Sequence, residues 1–147
     1  MVYIGSDHRG FILKEAIKKY FDKQKIEYED CGTYSTQTAH YPQIAENVCK
    51  KMDVKKDTAI LLCGSGIGMS IAANKFKGIR AGICNSLSSV EDGKAHDDIN
   101  VLVLPADFID EQDAFDIIDK WINLEFLNGR YLDRLKMIEK IEEENMK

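Results

Sequence analysis

The sequence predicts an α/β fold of three layers: a five-stranded parallel sheet, helices on both of its faces, and a C-terminal helix beyond it. Two observations carry this. Strand-like and helix-like segments alternate in the order β-α-β-α-β-α-β-α-β-α, the pattern of a parallel sheet built by crossover connections. The third strand, Thr58–Cys63, runs into the glycine-rich turn Gly64-Ser65-Gly66-Ile67-Gly68 and then into an apolar helix start, the strand–turn–helix junction typical of such sheets. The 147 residues, 44% of them hydrophobic, suffice for one domain, 1–147, with a core of ordinary size.

Each element has its own signal. Val2–Gly5 is a short apolar strand. Phe11–Gln24 is helical, because Leu13, Ile17, Tyr20 and Phe21 fall on one face. Ile26–Cys31 reads as a second strand, followed by a polar loop containing Gly32, Ser35 and Pro42. Ile44–Met52 is a short helix, Thr58–Cys63 the third strand and Ile67–Lys75 the third helix. Ala81–Cys84 is a strand, Ser86–Ala95 a helix, Val101–Leu104 the fifth strand and Asp110–Leu127 a long helix. The closing segment, about 131–147, is helical and highly charged. Its Leu132, Leu135, Ile138 and Ile141 form one apolar stripe, which packs either on its own domain or on a second subunit.

Composition excludes several classes. A net charge of -5 argues against non-specific nucleic-acid binding. No apolar run reaches membrane-spanning length, and the chain opens directly on Val2-Tyr3-Ile4, without the pattern of a signal peptide. The four cysteines, Cys31, Cys49, Cys63 and Cys84, form no CxxC pair, so zinc and redox motifs are not indicated and a cytoplasmic chain with reduced thiols is expected.

The segments that could carry chemistry lie at strand ends. Cys63 closes an apolar strand and is followed by Gly64, Gly66 and Gly68. Amides of such a turn, with the dipole of the helix behind it, make an anion hole, and a thiol placed there can have its pKa lowered. A base beside donors for a developing oxyanion follows. The plain alternative is a buried structural cysteine, which fits Cys49, Cys84 and Cys31, whereas three glycines after Cys63 are costly unless a ligand or backbone comes close. Gly5-Ser6-Asp7-His8-Arg9-Gly10 puts an acid and an imidazole at a strand-to-helix turn, either as a site or as an N-cap by Ser6 or Asp7 beside a solvated histidine. It is neither a Walker A loop nor a dinucleotide fingerprint, so Asp30 at the second strand's end does not signify a ribose-binding acid. His96, beside Asp97 and Asp98, is by itself more often a solvated group. Arg130 and Arg134 share one helical face, where they clamp a phosphate or pair with acids such as Asp133.

Taken together, these motifs resemble type B ribose-5-phosphate isomerase, in the group that includes galactose-6-phosphate isomerase. GSDHRGF is similar to the family's opening segment, DCGTYS with HYP to its next, CGSGIGMSIAANKFKGIRA to its most specific one, and NGRYLDR to one near its C-terminus. The resemblance implies a Rossmann-like subunit acting as a homodimer or dimer of dimers, with sites at the interface and aldose–ketose isomerisation needing neither metal nor cofactor. It implies Cys63 as the base between C1 and C2, and Gly64, Gly66, Ile67 and Gly68 as the enediolate hole. Ser65 and His96 would act in ring opening, Asp7 and Tyr41 on the sugar, and His8, Arg130 and Arg134 on the phosphate.

The chain also departs from the family's pattern. Asp97 replaces an amide, Pro105 and Asp107 stand where a glycine and an arginine are usual, His40 replaces aspartate and Tyr131 replaces histidine. Two carboxylates facing a dianionic substrate would repel it, unless they turn outward or Lys94 neutralises one. The expected function is therefore isomerisation of ribose 5-phosphate and ribulose 5-phosphate, with substrate recognition altered around Asp97 and Asp107. The rivals are an isomerase for another phosphosugar, such as a six-carbon one, and a non-catalytic phosphosugar-binding protein.

Overall fold

Five parallel strands pair in the order β2-β1-β3-β5-β4 in the computed structural model, which describes residues 1–146. The strands are β1 (Val2–Ser6), β2 (Tyr28–Asp30), β3 (Thr58–Cys63), β4 (Ala81–Ile83) and β5 (Val101–Pro105). The helices are α1 (Phe11–Gln24), α2 (Tyr41–Lys51), α3 (Ile67–Ala73), α4 (Leu87–Ala95), α5 (Glu111–Asn123) and α6 (Arg130–Asn145). β3 lies at the centre, paired with β1 on one side and β5 on the other, and all of its residues after Thr58 are buried.

Side chains of a strand point alternately to opposite faces, and the core divides accordingly. Ile4, Ile60, Leu62, Leu102 and Leu104 pack with Leu13, Ile17 and Phe21 of α1, Val90 of α4 and Ile117, Ile118 and Trp121 of α5. Ala59, Leu61, Cys63, Val101 and Val103 pack on the other face with Ile44, Ala45 and Val48 of α2 and Met69 and Ala73 of α3. The sulfur of Cys63 therefore belongs to the α2–α3 side. Trp121 seals the first core and donates its indole N–H to the Ile99 carbonyl at 3.1 Å.

The structure corrects several expected boundaries. β2 is only three residues, because Lys25 turns into the left-handed region (φ 59°) and Ile26 N–H closes back on Phe21 O at 2.9 Å. α2 starts at Tyr41 rather than Ile44, since Pro42 sits in the first turn, where its fixed φ suits a helix and its missing N–H costs nothing. Tyr41 is thus the first helical residue and not part of a loop. α3 ends at Ala73 rather than Lys75. α5 stops at Asn123, four residues short of Leu127: Leu124 is extended, and the Leu127 N–H instead meets Ala95 O at 3.0 Å. α4 starts at Leu87, with Ser86 as its N-cap and Ser86 and Ser89 exchanging side chain to backbone bonds.

Two features bear on the site. Lys14 is fully buried, and its ammonium reaches Asp30 Oδ1 and Thr33 O, both at 2.6 Å, tying α1 to the end of β2. Asp30 is thus occupied by Lys14 and Lys18; burial would raise its pKa, but those two hydrogen bonds win and hold it below the usual carboxylate value. The apolar stripe of α6 is only half used on its own chain. Leu132 and Leu135 are half-buried and Glu142 accepts from Gly78 N–H at 2.8 Å, whereas Ile138 and Ile141 remain exposed. A cleft of about 460 Å³ runs beneath α6, between Val54, Gly78, Arg80 and Leu135. The last expected residue of this helix, Lys147, lies outside the described residues.

Candidate active site

The carboxyl edge of the sheet gathers most of the expected residues. Cys63 ends β3 in register with Pro105 and is 5% exposed. The loops after β3 and β5 are tied together, Ala106 N–H donating to Cys63 O (2.9 Å) and Asp107 N–H to Gly64 O (3.0 Å). Gly66, with φ +80°, turns the chain into α3 in a conformation that favours glycine. Among the described residues the backbone N–H groups of Gly64, Ser65 and Gly66 have no protein acceptor, while Ser65 Oγ accepts from Ile67 N–H at 3.2 Å. The Tyr41 ring lies flat against Gly68, where a Cβ would come within 2.7 Å of Cε1 and Cζ. The turn is therefore a shallow cradle of free donors with the thiol at its base and the Tyr41 ring as one wall.

The first strand supplies the other wall. Asp7 Oδ1 accepts the N–H groups of Arg9 (3.0 Å) and Gly10 (3.1 Å), so this carboxylate orders the approach to α1 and, among the described residues, keeps Oδ2 without a protein partner. The N-cap of α1 is Gly10, without a side-chain cap, so neither Ser6 nor Asp7 takes that place and Asp7 instead orders the turn before it; the Ser6 hydroxyl is buried and unpartnered among the described residues. His8 Nδ1 lies against the backbone of Ala39, 3.2 Å from its N–H and 3.3 Å from its carbonyl oxygen. Gly10 lets α1 approach β3: a Cβ there would sit 2.7 Å from Leu62 Cβ and 3.0 Å from its carbonyl carbon and oxygen.

A second group lies elsewhere. His96 is the C-cap of α4, and its ring stacks on Tyr131 with centroids 4.3 Å apart and planes 4° from parallel. Arg130 and Arg134 lie over the same Tyr131 ring, at 5.2 and 5.7 Å from its centroid. Asp97 is exposed beside this cluster, at the rim of a cleft that also includes Gly82, Gly93 and Ile99. α4 runs back from β4 to the start of β5, so His96 precedes Asn100, whose carbonyl accepts from Ala59 at the beginning of β3. Cys63 pairs with Pro105 at the far end. The two groups thus lie at opposite ends of the sheet, with the five steps from Asn100 to Pro105, about 16 Å of strand at roughly 3.3 Å per residue, between those ends. One chain thus brings together Asp7, His8, Tyr41, Cys63, Gly64, Ser65, Gly66, Ile67 and Gly68, and holds His96, Asp97, Arg130 and Arg134 apart from them.

Charge at the carboxyl edge differs from expectation. Asp107 does face this edge, and its carboxylate is neutralised by Arg9, not by Lys94; the Lys94 ammonium instead lies over the Trp121 ring at 5.8 Å. The sequence reading passed over Arg9 and treated Tyr131 only as a departure. The available signals were an arginine directly after His8 in GSDHRGF and a ring lodged between Arg130 and Arg134. Of the thiols, Cys31, Cys49 and Cys84 are each pushed up to about 11 by burial, so they stay protonated near neutrality.

This geometry, a thiol and turn amides without protein acceptors among the described residues at the carboxyl end of a parallel sheet, is of the class that α/β enzymes use for small anionic molecules. Comparison with known proteins gives the particular kind. Residues 2–138 match the family model described as Ribose/Galactose Isomerase. Ribose-5-phosphate isomerase B of Escherichia coli is 37% identical over 97% of this chain and 96% of its own. The crystal structure of a ribose 5-phosphate isomerase from Thermotoga maritima superposes with a TM-score of 0.91 at 41% identity, covering 95% of this chain and 97% of that one. Ribose-5-phosphate isomerase B from Mycoplasma genitalium, with bound ribulose-5-phosphate, gives 0.89 at 33% identity, covering 98% and 97%. The chain belongs to the ribose/galactose isomerase family, and it is accordingly a sugar-phosphate isomerase. Among the described residues no helix is long and apolar enough to cross a membrane.

Proposed function

We propose that this isomerase interconverts ribose 5-phosphate and ribulose 5-phosphate through an enediolate, with Cys63 as the base. The observation that carries the reading is the position of Cys63: its sulfur ends the central strand directly below a turn whose Gly64, Ser65 and Gly66 amides are unpaired. In the aldose-to-ketose direction the Cys63 thiolate takes the proton from C2, the electron pair moves onto O1 as the enediolate forms, and the turn amides, Gly64 to Gly68 with Ile67 among them, meet that oxygen. The same proton returns to C1, while the O2 proton passes to O1. Ser65 and His96 assist the preceding ring opening, and Asp7 Oδ2 and Tyr41 hold sugar hydroxyls. His8, Arg130 and Arg134 hold the phosphate, whose binding energy keeps C1 and C2 over the thiol. The ligand of the Mycoplasma genitalium relative supports the choice of sugar.

The reading also requires a homodimer. Groups at opposite ends of the sheet, with about 16 Å of strand between those ends, do not act on one five-carbon sugar, so His96, Arg130 and Arg134 serve the site of a second copy. Exposed Ile67, Ile71, Ile83 and Leu87 on α3, β4 and α4, and the unused stripe of α6, provide apolar surface for that contact. A cytoplasmic setting goes with four free cysteines. The test is a turnover assay on a panel of five- and six-carbon aldose phosphates. Turnover of ribose 5-phosphate above the rest is expected. Preference for a six-carbon phosphate would move the assignment within the family, and binding without turnover would refute it.

A further inference from the structure

We infer that Arg9 is a substrate-positioning residue that grips the phosphate at the mouth of the site, held in place by Asp107. The inference rests on the phosphosugar reading above. The Arg9 guanidinium lies directly across Gly64, where any Cβ would overlap its Cζ, Nε and Nη2 atoms. Gly64 is not in the left-handed region, unlike Gly66 at φ +80°. The missing side chain at Gly64 is thus what lets the arginine lie over the turn in this pose; a Cβ there would push the guanidinium aside.

The pose of Arg9 is built from both sides. Asp107 Oδ2 accepts from Nη2, and Asp107 is itself anchored, because its N–H donates to Gly64 O at 3.0 Å. The two side chains are 98 positions apart in sequence and meet over one residue of the catalytic turn. An exposed ion pair contributes little stability, so the arrangement orients the guanidinium more than it holds the fold. Among the described residues Nε and Nη1 of Arg9 have no protein acceptor, and the side chain is 54% exposed. The other cations of α1 at this end, Lys14 and Lys18, are committed to Asp30. Arg9 is thus a fixed cation with planar donors left over, the form that suits phosphate.

Placement selects the phosphate rather than the reacting carbons. Cys63 is buried at the base of the turn, whereas the half-exposed Arg9 lies at its open side, directly after His8 in the chain. The phosphate stays near water while the carbon chain reaches down to the thiol. The carboxylate at position 107 then does not repel the substrate, because its charge is spent on holding Arg9.

The test is a double-mutant cycle of Arg9→Met and Asp107→Asn, with steady-state kinetics on ribose 5-phosphate and calorimetry with inorganic phosphate. Wild-type turnover tests the isomerase reading by itself, and phosphate binding tests Arg9 without turnover. Arg9→Met is expected to raise KM about 10- to 100-fold with kcat nearly unchanged, and to weaken inorganic phosphate in parallel. Asp107→Asn should raise KM only a few-fold, and the double variant should match Arg9→Met. If Arg9 served only to neutralise Asp107, removing both charges would restore the wild-type KM, and that result would overturn the proposal. So would a loss of kcat at constant KM, or unchanged phosphate affinity in Arg9→Met. Thermal melts at the wild-type midpoint show that each variant is folded, and Arg9→Lys should recover part of the phosphate binding.

Discussion

Mixing two inactive variants tests whether the site is shared between chains. On the proposed mechanism Cys63→Ala removes the base and His96→Ala the ring-opening histidine, so each alone should be nearly inactive on the cyclic sugar. Within one chain Cys63 lies at the carboxyl end of the sheet and His96 before its amino end, with about 16 Å of β5 between those ends at roughly 3.3 Å per residue, farther than one pentose can bridge. If each site takes Cys63 from one chain and His96 from its partner, a dimer with one copy of each variant has one intact site and one doubly defective site. Random pairing of a 1:1 mixture makes about half the dimers mixed, each half-active, so roughly a quarter of wild-type activity should return. The assay is co-expression, or co-refolding from mild denaturant, followed by turnover of ribose 5-phosphate against each variant alone. Recovery of none of this activity, with mixed dimers demonstrated by mass, would refute the shared site. So would full activity of a wild-type monomer at micromolar concentration.

Four further outcomes are expected. Cys63→Ala should lower kcat by orders of magnitude while the affinity for a bound phosphosugar, measured by calorimetry, stays close to wild type. Arg130→Ala or Arg134→Ala should weaken phosphorylated ligands about 10- to 100-fold, as loss of a charged hydrogen bond costs about 1.5–3 kcal/mol; equal weakening of unphosphorylated ribose would contradict a phosphate role. Gly10→Ala inserts a methyl group 2.7 Å from Leu62 Cβ and 3.0 Å from its backbone carbonyl. Overpacking of this kind costs about 1–3 kcal/mol, or about 2–4 °C in Tm per kcal/mol for a chain of this size, and it should reduce kcat/KM as Asp7 and His8 shift against Cys63. Alkaline stability should fall between about pH 9 and 11: burial pushes the native values of Cys31, Cys49 and Cys84 up to about 11 from an ordinary thiol value of 9.0. Their contribution is present below the unfolded value and is lost as pH rises through the folded one, since the unfolded chain releases those protons first. Denaturant midpoints flat from pH 8 to pH 11 would count against it.

What the sequence determined by itself is local. The alternation of apolar runs set the succession of strands and helices, because period and turn chemistry are written in neighbouring residues. Cys63 with its three glycines, and Arg130 with Arg134, were recognisable for the same reason: each is a spacing within one turn or one strand end. The corrected boundaries also have local causes, namely Pro42 inside the first turn of α2 and the left-handed Lys25 that shortens the approach to β2. Tertiary structure decided what depends on residues far apart. The order β2-β1-β3-β5-β4 brings the loops after β3 and β5 side by side, and only then do Arg9 and Asp107 meet above Gly64. No periodicity encodes a contact across 98 positions. The return of α4 and the early end of α5 likewise set His96 against Tyr131, between two arginines and away from the thiol. A sequence pattern names the groups that chemistry needs, but the distances between them follow from how crossovers lay strands beside one another, and that is a property of the whole sheet.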